Sequence, residues 1–170
     1  NKGKVYKIKG YEIPEFSRQA KGLPIINLLP IEKDEKINFI LSILKDDNSD
    51  YITFVTRKGL VKRTKIEEFD SIRKSGKIAI TLKEDDELID VRITDGNTSI
   101  IMVTRQGMSI RFKEEEVRAV GRISMGVKGI NLSKDDKVVG MEPIKNDEDY
   151  ILAITENGFG KRTEVEEYRE

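Results

Sequence analysis

An all-β chain built as a propeller-like array of four-stranded blades is the fold class this sequence predicts. Three observations predict it: a repeat anchored on glycines, a period of two within each repeat, and a near absence of helical pattern. Four segments align on a glycine: NKGKVYKIKGYEI at Gly3, RKGLVKRTKIEEF at Gly59, RQGMSIRFKEEEV at Gly107 and ENGFGKRTEVEEY at Gly158. Four places after each glycine stands a basic residue (Lys7, Arg63, Arg111, Arg162). Nine places after it stands a glutamate (Glu12, Glu68, Glu116, Glu167), and at ten an apolar residue (Ile13, Phe69, Val117, Tyr168).

The elements follow in order within each repeat. YITFVT, SIIMVT and YILAIT alternate β-branched and aromatic residues, and each ends at a glycine turn that leads into a partner such as LVKRT or MSIRF, which reads as a hairpin. KIEEFDSI and KEEEVRAV allow one helical turn each. A second glycine comes 17 to 19 residues after the first (Gly22, Gly76, Gly126), with an arginine three or four places before it (Arg18, Arg73, Arg122). KIAITL then predicts a third strand. An acidic turn (KDEK, EDDE, KDDK) leads to a fourth apolar run: INFILSI, LIDVRIT or VVGMEPI. The repeats fall at about 1–43, 44–94, 95–144 and 145–170, the first without its opening strand and the last a single hairpin. This predicts about three blades and part of a fourth, an incomplete ring within one domain.

Composition narrows the function. The chain has no cysteine and no histidine, so thiolate chemistry, the usual general base and the commonest metal ligand are all missing from it. No catalytic or metal-binding residue is predicted, and a carboxylate-based enzyme is disfavoured because the acids recur in turns. No run of about 18 apolar residues suggests a membrane span. The start reads as the interior of a longer protein, having neither initiator Met nor an apolar leader.

Net charge is zero, with 31 Lys+Arg against 31 Asp+Glu, yet the basic residues cluster. One group surrounds the first glycine: Arg57, Lys58, Lys62 and Arg63 in the second repeat, Arg105 and Arg111 in the third, Lys161 and Arg162 in the fourth, with Lys7 in the first. A second group flanks the second glycine: Arg18 and Lys21, then Arg73, Lys74 and Lys77, then Arg118, Arg122 and Lys128. Two readings stand side by side. These side chains either solubilise blade edges and pair with the nearby glutamates, or line one outer rim that holds a polyanion. The rim reading expects Arg63 and Arg111 to face water and the acidic turns to occupy another face. Aromatic residues do not interleave with the basic clusters, which favours duplex DNA gripped by its phosphates over single strands.

The segments EIPEFSRQAKGLPIINLLPIEKDEKI, RKSGKIAITLKEDDELIDV, EEVRAVGRISMGVKGINLSKDDKVVGM and ITENGFGKRTEVEEY resemble successive blades of the C-terminal domain of the DNA gyrase A subunit, over essentially the whole chain. The homologous topoisomerase IV domain is the alternative, and a protein-interaction propeller a further one. The resemblance implies a β-pinwheel, usually of six blades with strands exchanged between neighbours, that wraps and bends double-stranded DNA. It implies a non-catalytic part of an ATP-dependent type II topoisomerase, cytoplasmic and nucleoid-associated. Its partners would be the B subunit and the remainder of the gyrase A polypeptide, with ATP and Mg²⁺ bound elsewhere. The family's Gln-Arg-Arg-Gly-Gly-type box has no counterpart here, since SRQAKGLP resembles a loop of a later blade. Weaker wrapping, and pairing of exposed terminal blades with another copy, are the expected consequences.

Overall fold

A computed structural model describes residues 2–43 and 50–170. The expected start of the second repeat at 44, and the acidic stretch as far as Ser49, lie outside the described residues. The chain is all-β. Strand β1 (Lys4–Val5) opens it, and β2 (Tyr51–Thr56) and β3 (Leu60–Lys65) form the first long hairpin. The chain continues through β4 (Lys77–Ile78), β5 (Leu88–Thr94), β6 (Ser99–Thr104), β7 (Ser109–Lys113), β8 (Val127–Lys128) and β9 (Val138–Ile144). It ends with the hairpin of β10 (Tyr150–Ile154) and β11 (Gly160–Glu164). The two predicted helical turns are short 3-10 turns, Ile66–Phe69 and Glu114–Glu116. No helix of the described residues is long and apolar enough to cross a membrane.

Strand order shows how the repeats interlock. One sheet runs β5-β2-β3-β8, another β7-β6-β9, and β1 pairs with β4. Strands β2, β3 and β5 belong to the second repeat, but β8 comes from the third and lies antiparallel to β3, Val127 opposite Val61. In the same way β4 of the second repeat closes the edge of β1 in the first. Each of these edges is thus capped by a short strand from the following repeat. KIAITL differs from the full strand its pattern predicts: only Lys77 and Ile78 pair, because the neighbour's strand β1 is itself two residues long. INFILSI forms no strand among its described residues 37–43.

The cores lie between blades rather than within them. Val55 and Val61 of the second repeat pack with Ile100, Met102, Phe112, Val138 and Met141 of the third. Ile52, Phe54 and Leu88 pack with Val5, Phe39 and Leu41 of the first. The hairpin β2–β3 is consequently buried on both faces. At about 1.5–3 kcal/mol for each fully buried aliphatic side chain, these interfaces dominate stability.

Gly126 shows why the second glycine is required. Its φ is +95°, and a Cβ there would collide with the backbone carbonyl of Val61, because this is where the third repeat crosses β3. Gly158 also has positive φ (+82°), but a Cβ there would meet nothing within 4 Å. Gly158→Ala should therefore cost about 1 kcal/mol of backbone strain, and Gly126→Ala at least about twice that as the strand crossing is pushed apart. Urea unfolding of the two variants in parallel checks the difference.

Candidate nucleic-acid interface

Two of the four residues in the basic column four places after the first glycine, Arg63 and Arg111, are drawn in from solvent, whereas Lys7 and Arg162 are exposed. Arg63 is 7% exposed. Its Nε donates to the Val117 carbonyl at 3.0 Å, and its guanidinium lies 4.3 Å from the centre of the Tyr51 ring. Its Nη1 stands 3.7 Å from Oε2 of Glu114, which is fully buried. Arg111 repeats the device one blade on: it donates to the carbonyls of Val165 and Tyr168 and pairs with Asp147. Lys7 reaches the Asp70 carbonyl at 3.5 Å. Each of these cations thus clasps the 3-10 turn of the next repeat. The expectation that Arg63 and Arg111 are solvent-facing is corrected, because a blade has neighbours on both faces. Pairing with the glutamate of the same repeat is corrected too. Glu12 and Glu116 instead accept the backbone N–H of Lys9 and Lys113 and cap their own turns. Arg162 retains only the Tyr150 ring, 4.4 Å away, among the described residues.

Lys62 is also withdrawn from solvent. Its ammonium donates to the carbonyls of Ala79 and Arg122. Burial, assisted by the positive charge of Arg122, pulls its pKa down to about 8.

At the hairpin tips the acidic turns sit beside the basic residues, so the expected segregation onto another face is corrected. Arg57 pairs with Glu87, the Lys58 amide donates to Asp86 Oδ1 and its Nζ to the Glu84 carbonyl. The third repeat copies this arrangement, with the Gln106 amide donating to Asp136 Oδ1. Arg105 lies 3.8 Å from Glu156, and Lys161 is exposed in β11. A turn brings strand ends together, so the acidic run that precedes β5 meets the tip of β2–β3.

The second basic group behaves differently. Arg18, Lys21, Arg73, Lys74, Arg118 and Lys128 are all exposed, and their side chains have no hydrogen-bond or ion-pair partner among the described residues. Lys77 donates to Ser71, and Arg122 is half-buried against the Ile78 carbonyl. The exchanged strands place these segments on blade edges: β4 lies along β1 and β8 along β3. Successive segments also touch, since Thr81 bonds the Ile123 carbonyl through its hydroxyl and the Ser124 carbonyl through its amide. In the second and third repeats the result is an edge strand with unneutralised cations on or beside it, while Arg18 and Lys21 of the first repeat lie in a segment without a strand.

Sequence reasoning missed Glu114, whose Oε1 accepts the Gly96 and Thr98 amides. The signal existed: its column holds Gly10, Ile66 and Val165 in the other repeats, and an acid in a column otherwise without charge marks a buried partner.

Residues 1–43, 50–95, 98–145 and 149–170 each match the family described as DNA gyrase C-terminal domain, beta-propeller. The chain belongs to that family. It is 51% identical over 171 residues to a DNA gyrase A subunit of Staphylococcus epidermidis and 47% identical to that of Staphylococcus aureus, covering 99% of this chain in both cases. It spans 19% of the length of those relatives. The crystal structure of the C-terminal domain of DNA topoisomerase IV superposes with a TM-score of 0.90 at 34% identity, covering 100% of this chain and 53% of that one. The structure of a DNA gyrase A C-terminal domain superposes at 0.82 and 27%, covering 99% and 53%. The two homologous domains share this fold, and the higher sequence identity lies with the staphylococcal gyrase polypeptides.

Proposed function

We propose that this chain grips and bends duplex DNA along its outer strip, as a non-catalytic DNA-wrapping part of a gyrase A polypeptide. That polypeptide would work with the B subunit, which supplies ATP hydrolysis, in negative supercoiling at the bacterial nucleoid. The observation that carries this reading is the contrast between the two basic groups. Cations around the first glycine are largely engaged in intramolecular bonds, whereas six around the second are exposed with unpartnered side chains, four of them in the segments that carry the edge strands β4 and β8. Backbone amides beside a glycine together with Arg and Lys suit phosphates and read no bases. Bending a duplex over tens of base pairs costs about 1–10 kcal/mol, so a grip distributed over several blades is what the task requires.

Titration with linear duplex DNA across salt concentrations tests this. Six displaced counterions give a slope of log K against log salt of about −5, and replacing Arg73, Lys74, Arg118 and Lys128 by alanine should flatten it to about −2. A flat response in the parent chain would overturn the proposal and favour a protein-binding module.

A further inference from the structure

The outer strip changes chemistry at the third repeat. Around Gly76 the residue after the preceding arginine and the residues one before and one after the glycine are Lys74, Ser75 and Lys77. Around Gly126 the same positions are Ile123, Met125 and Val127, which are 70%, 43% and 51% exposed. They alternate outward with half-buried Ser124 and Gly126. Isolated apolar residues on a surface are ordinary, but three at alternate positions of one segment, running from the turn at Ile123 to Val127 in β8, form a ridge.

The ridge is held in place from beneath. The Arg122 carbonyl accepts from Lys62, the Ile123 carbonyl from the Thr81 hydroxyl at 2.6 Å, and the Ser124 carbonyl from the Thr81 amide. Ser124 closes a turn onto the Gly121 carbonyl. The second blade thereby fixes a loop whose apolar tip points away from both blades, so little ordering cost remains to be met on binding. Arg118 and Lys128 flank the ridge on its own segment. Across the blade gap stands Lys77, next to the Ile78 whose carbonyl accepts from Arg122.

We propose that Ile123 and Met125 form an apolar wedge that inserts at a base step of duplex DNA held by the surrounding cations and localises part of the bend at the third blade. This rests on the duplex-binding reading and deepens it. An apolar side chain of this size partly unstacks a step and kinks the helix, while phosphate contacts on either side hold the two arms. The second blade, with Lys74, Ser75 and Lys77 in the same places, would hold the backbone without a kink.

The test compares the parent chain with Ile123→Ser/Met125→Ser on a short duplex end-labelled for energy transfer. The variant should keep its salt slope and lose about 20° or more of bend, and Ile123→Leu/Met125→Leu should keep the bend. Because the side chains are exposed, thermal midpoints should match; if the double variant folds poorly, Met125→Gln alone carries the comparison. Salt-dependent binding with an unchanged bend in the serine variant overturns the wedge and leaves the duplex reading intact. Absence of binding by the parent chain overturns both. Loss of self-association in sedimentation, with bend unchanged, would instead assign the ridge to contact between copies.

Discussion

Arg63→Met is expected to lower the unfolding free energy by about 3–5 kcal/mol, the cost of leaving a buried charge without its partner. The Glu114 carboxylate is fully buried, and its Oε2 has no hydrogen bond, so the guanidinium 3.7 Å away is what balances it. The same substitution removes the bond to the Val117 carbonyl and the stack on Tyr51. Arg63→Lys keeps the charge but not the planar fork and should fall between the two. Adding Glu114→Gln to Arg63→Met should recover part of the loss, since the glutamine oxygen still accepts from Gly96 and Thr98. Arg111→Met should cost less, because its carboxylate partner Asp147 is largely exposed. Urea unfolding of the four variants decides this. A loss below about 1 kcal/mol for Arg63→Met would mean that the clasp contributes little to joining the second and third blades.

The second large effect depends on pH. Lys62 titrates at about 8 in the folded chain against 10.5 when unfolded. Between those values the unfolded chain holds the extra proton, so stability rises with pH across that window, by about 3 kcal/mol from this group alone. Below pH 8 the burial penalty is present in full and constant. The neutral amine still has hydrogens for the Ala79 and Arg122 carbonyls, so deprotonation relieves the charge without orphaning either acceptor. In Lys62→Met the window disappears. The difference in unfolding free energy between the parent and Lys62→Met should therefore shift toward the parent by about 3 kcal/mol from pH 7.5 to pH 10.5. An unshifted difference would show that the ammonium is solvated in the folded state.

Both effects arise at adjacent residues of β3, and together they bear on the interface. Lys62 and Arg63 stand next to each other in a run that reads as a DNA-facing tooth, yet one secures the exchanged segment and the other the next 3-10 turn. Under the proposed function a phosphate grip would fall to residues that no such bond holds, and the two sets of variants separate stability from binding.

The repeat, the hairpins and the glycine turns were legible in the sequence because they are local. A positive-φ turn favours glycine wherever it occurs, and Gly3, Gly59, Gly107 and Gly158 all adopt it. A period of two records a pleated strand irrespective of its neighbours. The order of residues is therefore enough to specify an all-β array, its spacing and the places where basic residues recur. Which of those residues remain in water follows only from packing in three dimensions. Alternation along a strand separates two faces, but it cannot tell that a blade is covered on both. Nor can it tell that β4 and β8 complete the preceding repeat, placing the Val117 carbonyl and Glu114 within reach of Arg63. Charge on a strand is a local fact, whereas its desolvation is set by contacts between repeats some 50 residues apart.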